Sequence, residues 1–289
     1  MILGIDIGGT TTDIVGFKNN EILGFLSVKA SDPLASASGA LGKFVSVNNL
    51  SLDEINKIAI TGVGSSYMDM NLFGIKTIKV NEFESIGFGG TYLSNLDRAI
   101  VVSMGTGTAI VKVTEGKVKH LGGSGVGGGT LLGLGKGLLN SADFNNIIEM
   151  AEEGDIGNID LMLGDISQST IGSLQKEITV SNFGKFIDKA TKEDQASGIL
   201  NMIFQTIGMM SIFAAKIEED KDIIFTGKLA NINYGQKILN RLIAARFFDG
   251  NFHFPEYGEY STAIGAAICL LKDQNISDED ISGHDIKDR

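Results

Sequence analysis

Short apolar runs in this chain repeatedly end in glycine, and this pattern limits what the chain can fold into. There are 38 glycines and only 2 prolines among 289 residues, about twice the glycine content usual in globular proteins. A backbone without side chains can approach a ligand closely. We therefore predict loops that contact a ligand through backbone atoms. The glycines cluster at residues 4–9, 62–64, 87–90, 105–107, 122–137 and 227.

Charge and cysteine content exclude several classes of protein. The formal net charge is -11 and the basic residues are scattered, so we expect no nucleic-acid partner and no membrane partner. The single cysteine, Cys269, lies in an apolar run, which predicts a core position and a reducing compartment. We find no apolar run of the roughly 18 to 20 residues that span a bilayer and no basic signal region after Met1. We therefore expect a cytoplasmic protein.

The order of predicted elements suggests two similar halves. Each half begins with a strand, a turn that contains Gly and Thr, and two more strands, at an offset of about 97 residues. Helical patterns follow in both halves. The predicted strands are 2–7, 13–18 and 22–28, then 99–104, 109–114 and 117–121, and the predicted helices are 34–47, 65–70, 145–152, 182–190, 194–216 and 236–247.

The pattern at 194–219 is the longest predicted helix and is apolar nearly all round. A helix without a polar face must be covered on several sides. It is either a central core helix or, in part, the surface of a homodimer. Residues 275–289 are polar and lack periodicity, which predicts a frayed tail.

The segment Ile5–Thr12 combines a strand, a carboxylate and a Gly-Gly-Thr-Thr-Thr turn. Amides and hydroxyls of such a turn can bond phosphate oxygens. A carboxylate at the strand end suits Mg²⁺, held through water, because Mg²⁺ keeps most of its hydration. An ordinary hairpin can also use Gly-Gly-Thr, but it needs neither Asp6 nor the run of threonines.

Three further segments repeat this chemistry. Ser103–Thr108 is a second Gly-Thr loop after a strand, and two such loops can clamp a triphosphate. Gly122–Gly135 passes into an apolar helix, whose first amides could be open to an anion. Ile223–Lys228 is a buried strand that ends in glycine and suits a wall against adenine or ribose. None is a dinucleotide fingerprint or a P-loop, because the spacing and the Gly-Lys-Ser/Thr sequence are missing.

These segments, in this order, resemble the actin-like ATPase superfamily over essentially the whole chain. Within it the chain is similar to the type II pantothenate kinase family. The spacing of Gly-Asp, Asp-Leu and Asp-Ile pairs is the most family-specific part. The matching stretches are 4–10, 81–84, 105–108, 127–130 with 133–135, 154–155, 160–161, 164–166, 182–184 and 261–266.

The resemblance implies an α/β fold of two actin-like (ribonuclease H-like) domains. Each domain would be a mixed sheet flanked by helices, with the nucleotide cleft between them. The expected N-terminal domain is 1–96, and the expected C-terminal domain is 97–289. The implied cofactors are ATP and Mg²⁺, and we expect a homodimer.

The resemblance also assigns roles to individual residues. Glu82, in Glu82-Phe83-Glu84, would be the general base. Many actin-like sugar kinases carry the base in the second loop, but here that loop contains no carboxylate, so the base must come from another segment. The alternative is that Glu82 and Glu84 are solvated loop acids. Asp6 would also be the metal residue, and His120 and Gly105 would contact the substrate. The implied nucleotide-contact residues are Asp6, Gly8, Gly9, Thr10, Thr11, Thr12, Asp13, Thr106, Gly107, Thr108, Gly128, Gly129, Thr130, Leu131, Leu132, Phe144, Gly227 and Lys228, with Phe144 near the adenine.

Two positions depart from the family pattern. Asp13 stands where the family commonly has lysine, and His120 stands where it has arginine. A neutral imidazole replaces a guanidinium fork poorly. The expected activity is ATP-dependent phosphorylation of pantothenate to 4′-phosphopantothenate, the first step of coenzyme A synthesis. The alternatives are a kinase for another small hydroxyl compound and an ATPase activator or chaperone-like protein.

Overall fold

A computed structural model of the chain describes residues 1–19, 21–68, 71–167 and 176–282, the last ten of them as backbone alone. These residues form two compact units. Unit 1 contains Met1–Arg98, Val113–Lys119 and the described residues from Tyr260 onward, and unit 2 contains Ala99–Lys112 and His120–Glu259. This division differs from the expected boundaries, because the last helix and residues 113–119 belong to the first unit.

The described residues form two five-stranded sheets, and the two sheets share one strand order. The order is β3-β2-β1-β4-β5 in the first sheet and β8-β7-β6-β11-β12 in the second, while β9 and β10 form a separate pair. The shared order supports the prediction of two similar halves. The strands are β1 (Ile2–Ile7), β2 (Thr11–Lys18), β3 (Glu21–Lys29), β4 (Lys57–Thr61), β5 (Thr77–Lys79), β6 (Ala99–Met104), β7 (Thr108–Thr114), β8 (Lys117–Ser124), β9 (Leu161–Met162), β10 (Thr179–Ser181), β11 (Asp222–Thr226) and β12 (Asn251–His253).

Helices flank both sheets, as the fold class predicts. Short 3-10 segments complete several of the connections, among them Val63–Tyr67 after β4. The helices are α1 (Pro33–Val47), α2 (Glu82–Ser94), α3 (Gly128–Leu134), α4 (Phe144–Glu153), α5 (Leu163–Ile166), α6 (Lys192–Ile217), α7 (Asn233–Ala244) and α8 (Ser261–Ser282).

The register of the first sheet positions the candidate site of unit 1. β1 pairs parallel with β4, and β4 pairs parallel with β5. The carboxyl ends of parallel neighbours lie at one edge of a sheet, so the residues that follow these three strands are brought together there. β2 is antiparallel to β1 and places Asp13 directly opposite Asp6.

Apolar side chains cover both faces of this sheet. Ile5, Ile7 and Phe44 of α1 belong to the core on one face. On the other face α8 lies so close to β1 that a Cβ on Gly4 would be 2.0 Å from the Ala263 carbonyl oxygen. Each fully buried aliphatic or aromatic side chain contributes about 1.5–3 kcal/mol, and here that contribution depends on a glycine that lets the helix approach.

Helix α6 is the central helix of unit 2. It is long and apolar enough to cross a membrane by length and composition, contrary to the expectation from the sequence, but 61% of its most apolar window is buried inside the fold. Fourteen of its residues are buried, which agrees with the interpretation as a core helix. The predicted core position of Cys269 is also confirmed, since its side chain is buried.

The predicted helix at 182–190 is wrong. The amides that would begin such a helix bond to the segment that precedes β9 instead. Phe183 N donates to Asp160 Oδ1 at 2.8 Å, and the amides of Lys185 and Phe186 both donate to the Ile159 carbonyl at 3.0 Å. Tertiary hydrogen bonds therefore replace the helical ones. Of the predicted helix at 65–70, the structure has the short 3-10 segment Val63–Tyr67, and residues 69 and 70 lie outside the described part.

Two further differences concern helices near the ends of unit 1. Helix α2 was missed, although Asn81 caps it by accepting from the amides of Phe83 and Glu84. Its three glycines weaken the helical pattern in the sequence. The frayed tail was predicted from residue 275, but α8 continues to Ser282; residues 283–289 lie outside the described part.

Asp194 holds the start of α6 to the loop before it. Its carboxylate accepts from the amides of Asp155 at 2.7 Å and Thr191 at 3.0 Å, and from the Asn158 side chain at 3.1 Å. Burial alone would raise the pKa of Asp194, but these hydrogen bonds outweigh it and hold the pKa below its usual value. The carboxylate is therefore stabilising in its charged form.

We predict that Asp194→Ala lowers the free energy of unfolding by about 2–3 kcal/mol, because buried donors lose a charged acceptor. Urea unfolding at pH 7 measures this loss. The difference from the wild type should narrow below about pH 4, where the carboxylate of the unfolded chain becomes protonated. Asp188→Ala removes an exposed carboxylate and should change stability by no more than about 0.5 kcal/mol; equal losses in both variants would contradict the assignment.

Candidate active site

The edge of the first sheet gathers three polar positions at adjacent strand ends. Asp6 is the next-to-last residue of β1, and its register partner Thr61 ends β4. Glu82 begins α2 shortly after β5. Gly62 follows Thr61 at φ 83°, and a Cβ there would lie 2.3 Å from Asp6 Oδ1. Only glycine allows the turn after β4 to lie against the Asp6 carboxylate.

The turn after β1 contains the predicted phosphate loop. It is closed by a hydrogen bond from Gly8 N to the Thr11 carbonyl at 3.0 Å. Gly9 and Thr10 are exposed at its tip, where a ligand can reach them. Beyond the turn, the Thr11 hydroxyl donates to Asp13 Oδ2 at 3.3 Å. The exposed part of the loop is therefore smaller than the sequence suggested.

Glu82 is a half-buried acid in the first turn of α2. Burial raises the pKa of its carboxyl above the ordinary value of 4.5. Glu84, two residues on, is exposed. A carboxylate whose pKa is raised is a better proton acceptor. Burial therefore sets Glu82 apart from a solvated loop acid such as Glu84.

In unit 2 the second loop packs tightly on the glycine run that leads into α3. Gly128 N donates to the Gly105 carbonyl at 2.8 Å, and Gly129 N donates to the Thr106 carbonyl at 2.9 Å. A Cβ on Gly127 would lie 2.6 Å from the Thr106 carbonyl oxygen. Gly105 and Thr106 remain exposed. Two glycine segments thus form one rigid backbone surface.

The fourth segment joins the same unit beside β6. Gly227 has φ 85°, and a Cβ on it would lie 2.6 Å from the Met104 carbonyl oxygen. Lys228 begins the 3-10 segment that follows and is half-buried. Gly227 therefore lies next to the start of the second loop, as the prediction of a shared nucleotide site requires. Phe144, at the start of α4, packs partly against the core of this unit.

Several predicted contact residues hold the loops rather than face a ligand. Thr12 and Leu131 are fully buried, and Thr108 is 7% exposed with its hydroxyl donating to the Val126 carbonyl at 2.8 Å. Any contact of these three residues with a nucleotide would therefore come from their backbone, and their assignment stays a prediction. The expectation that α3 offers free first amides is wrong, because the amides of Gly128 and Gly129 are bonded to the second loop.

The remaining predicted residues lie at the surface of their loops. The Thr130 hydroxyl donates to the Gly125 carbonyl at 2.9 Å, and Leu132 is half-buried. His120 is exposed on β8, and its Nε2 lies 3.0 Å from the Gly122 carbonyl. Because a carbonyl only accepts, this nitrogen carries the proton. The imidazole therefore donates a hydrogen bond to a carbonyl of its own strand.

The sequence reasoning missed Thr61 as a member of the first site. Gly62 and Gly64 were noted only as a glycine cluster, yet Gly64 packs on Ile7 and Gly62 packs on Asp6. The sequence signal was available in Thr61-Gly62-Val63-Gly64, a strand end followed by alternating glycines. This segment lies beside Asp6 only because β1 and β4 pair in parallel, and that pairing cannot be predicted from the local sequence.

Comparisons with known proteins agree with this architecture. The sequence profile of the Fumble family matches residues 98–269. A type II pantothenate kinase from Bacillus cereus is 29% identical over 280 residues, which cover 93% of this chain and 98% of the relative. The activator of the 2-hydroxyisocaproyl-CoA dehydratase from Clostridium difficile, with bound ADPNP, superposes with a TM-score of 0.67 at 16% identity over 100% of this chain and 98% of that chain.

A ROK family glucokinase from Streptomyces griseus, in complex with glucose and AMPPNP, has a TM-score of 0.59 at 12% identity and covers 93% of this chain and 98% of its own. At these identities the structural likeness shows the fold alone. Two mixed sheets of equal strand order, with Gly-Thr loops after their first strands, define the actin-like fold of ATPases and sugar kinases. Within that class, the chain belongs to the Fumble family.

We predict that Gly127→Ala weakens the second loop, because the added methyl group forces the Thr106 carbonyl away. The cost should be about 1–3 kcal/mol in thermal unfolding, as for other overpacked sites. Binding of an ATP analogue, measured by calorimetry, should weaken with it.

Gly125→Ala is the matched control, since a Cβ there meets nothing within 4 Å. It lies in the same glycine run and should leave both stability and analogue binding close to those of the wild type. Equal weakening by both substitutions would show that the contact with the Thr106 carbonyl is not the cause of the effect.

Proposed function

We propose that this protein transfers the γ-phosphoryl group of ATP to the hydroxyl group of pantothenate, giving 4′-phosphopantothenate, the first step of coenzyme A synthesis. The observation that carries the proposal is Glu82, a half-buried acid with a raised pKa at the sheet edge that also holds Asp6. Relatives called type II pantothenate kinase that align over about nine-tenths of the chain support the choice of acceptor.

Glu82 is the proposed general base. Its carboxylate would accept the proton of the pantothenate hydroxyl as that oxygen attacks the γ-phosphorus, and would orient the oxygen in line with the bond that breaks. Burial keeps the carboxylate from being fully hydrated, which raises its proton affinity. Asn81 fixes the residue in the first turn of α2 by capping that helix.

Asp6 is the proposed metal residue, and the residues present fit Mg²⁺. Among the described residues no group of three or more His, Cys, Asp or Glu could hold a metal. Mg²⁺ needs only one or two carboxylates, with water and phosphate as the other ligands. Asp6 and the opposed Asp13 satisfy that requirement. When bound, Mg²⁺ supplies positive charge to the phosphate oxygens.

The glycine-built surface of unit 2 fits a nucleotide phosphate chain. The backbone of Gly105, Thr106 and Gly107 lies at this surface. A Cβ on Gly107 would lie 2.9 Å from the Ser124 carbonyl oxygen, so only glycine fits there. Gly227 and Lys228 would lie against the ribose or adenine, and Phe144 would lie near the adenine. ATP use is common to kinases of this kind and to the analogue-bound neighbours.

His120 bears on the identity of the acceptor. An imidazole makes one hydrogen bond where a guanidinium makes a bidentate pair with a carboxylate. Pantothenate carries such a carboxylate, so His120 favours weaker binding of this acceptor, and a different small hydroxyl compound is the second candidate. An activator that holds a cluster between subunits through cysteines is disfavoured, because the one cysteine is buried.

The test is ADP release with Mg²⁺ and ATP, measured with pantothenate, pantetheine, common sugars and no acceptor. We predict pantothenate-dependent ADP release that falls by about 10²–10⁴-fold in Glu82→Gln, the range typical of a lost general base. The acid limb of kcat/KM should lie above pH 4.5, the ordinary value for Glu, because the base must be deprotonated to act.

Glu84→Gln is the matched control and should leave turnover near that of the wild type, since Glu84 is exposed on the same helical turn. Binding of an ATP analogue should survive in both variants. Release that depends on another hydroxyl compound and not on pantothenate would sink the choice of acceptor. Hydrolysis that ignores every acceptor would sink the kinase proposal.

We propose further that the protein is a cytoplasmic homodimer with a small-molecule substrate and no nucleic-acid or membrane partner. The support for a dimer is the exposed apolar end of α6, where Phe213 is 55% and Ile217 is 78% exposed. A groove of about 380 Å³ lies beside them, lined also by Ile110, Leu121 and Met210. Isolated apolar residues are ordinary on surfaces, but a contiguous patch marks an interface.

We predict that Phe213→Glu converts the dimer to a monomer, because a charge in the apolar patch would be desolvated without a partner. Light scattering coupled to size exclusion measures the mass. Val47→Glu alters an exposed apolar residue of α1, 65% exposed, and should leave the mass unchanged. A wild-type monomer at micromolar concentration would contradict the proposal.

A further inference from the structure

The turn after β4 lies between two features of the proposed active site in unit 1. In the first sheet β4 is the middle one of the three neighbours β1, β4 and β5. The predicted phosphate loop follows β1, and Glu82 follows β5. Because β1 and β5 both pair parallel with β4, all three segments leave the same edge of the sheet. The turn after β4 therefore lies between the phosphate loop and the proposed base.

The pairing of β1 with β4 brings Val63 beside the phosphate loop. Asp6 of β1 is the register partner of Thr61 of β4. Gly8 and Val63 each lie two residues beyond this pair, in the turns that leave the two strands. Val63 is thus at the same height along the sheet edge as the first glycine of the loop.

The pairing of β4 with β5 brings Val63 to the same height as the base. Ile60 is the register partner of Lys79, and the pairing continues beyond the strands, since Val80 N donates to the Ile60 carbonyl at 2.9 Å. Val63 and Glu82 each lie three residues beyond this pair. Val63 is therefore the residue that separates the phosphate loop from the base along this edge.

Val63 is also the part of the turn that a ligand can reach. Of the four described residues 61–64, only Val63 is exposed, at 66%. Gly62 and Gly64, on either side of it, lie against Ile7 at the end of β1. A Cβ on the first would be 2.7 Å from the Ile7 carbonyl oxygen, and a Cβ on the second would be 2.4 Å from Ile7 Cγ2. The backbone is held against β1, and the Val63 side chain is left open.

Hydrogen bonds fix the turn in this shape. Ser65 N donates to the Gly62 carbonyl at 3.0 Å, and the Ser66 hydroxyl donates to the Val63 carbonyl at 3.0 Å. Met68, directly after the 3-10 segment, is 2% exposed and belongs to the core of unit 1. The exposure of an apolar side chain at this position is therefore a built feature of the site.

A hydroxyl acceptor has to lie over this turn. Neighbouring strands are about 4.8 Å apart, so the ends of β1 and β5 are separated by roughly 10 Å. The attacking oxygen must lie about 3 Å from the base and about 3–3.5 Å from the phosphorus atom. These distances place the oxygen between the two strand ends, and the carbon atoms next to it lie against the turn after β4.

We propose that Val63 is a specificity-determining residue for the acceptor, and that it selects an alcohol whose carbon next to the reacting carbon is branched and apolar. Pantothenate is such an alcohol, because that carbon bears two methyl groups. A sugar bears a hydroxyl there, which would lose water without gaining a hydrogen bond from valine. The inference rests on the proposed function and names the part of the acceptor that the site selects.

The experiment compares pantothenate with an analogue in which hydrogen replaces the two methyl groups, in the presence of ATP and Mg²⁺. The wild type should prefer pantothenate in kcat/KM by about tenfold or more, the range for apolar groups that fit an apolar surface. Val63→Ala should reduce this preference severalfold, mainly through a higher KM for pantothenate. Val63→Thr keeps the shape, adds a hydroxyl and should act in the same direction.

Val47→Ala is the matched control, because Val47 is an equally exposed valine of α1, at 65%. It should keep the preference of the wild type. The acid limb of kcat/KM should not move in Val63→Ala, since the substitution changes a contact with the acceptor and not the environment of Glu82.

The outcomes separate this inference from the proposed function. If the wild type turns over pantothenate and Val63→Ala keeps the full preference, the inference is overturned and the proposed function stands. Equal losses with both acceptors, together with a shifted acid limb, would show that Val63 has a structural role only and would also overturn it. A wild type that does not turn over pantothenate would contradict both.

Discussion

The pairing of β1 between an antiparallel and a parallel neighbour is the constraint on which the first unit depends. It sets Asp13 and Thr61 on either side of Asp6, and it places Glu82 at the same sheet edge through β5. A slip of one residue in either pairing would turn these side chains to the opposite face. The apolar residues of β1, such as Ile5 and Ile7, prevent such a slip because they must face α1.

Close backbone contact is the second recurring constraint. Where α8 crosses β1, Gly4 lets a helix carbonyl approach, and where α2 meets α8, a Cβ on Gly265 would lie 1.8 Å from the Ser85 carbonyl oxygen. Larger residues would push these elements apart and open the core. In unit 2 the same property serves the loops, since Gly127 allows the glycine run to bond to the second loop. The abundance of glycine thus has two physical causes, helix packing and loop contact.

Buried charge in unit 2 is satisfied inside the protein rather than by a ligand. The Asp160 carboxylate accepts from Phe183 N and from the side chains of Asn182 and Asn201. Asp194 does the same at the start of α6. Asp160 lies in one of the segments with the most family-specific spacing, and Asp194 accepts from the amide of Asp155 in another. Both acids fix an irregular loop. The acids of unit 1 differ, because Asp6 faces a second carboxylate and Glu82 has a raised pKa.

The sequence by itself determined the class of fold, the strands that begin each half, and the residue types of the two Gly-Thr loops. These follow from local periodicity and from glycine and threonine at strand ends, which need no distant contact. Only the tertiary structure decided that 182–190 is irregular, that the side chains of Thr12, Thr108 and Leu131 are turned inward, and that Asp13 and Thr61 flank Asp6. The physical reason is that each of these depends on a hydrogen bond or strand pairing with residues far away in the chain, and local preference gives way to such contacts.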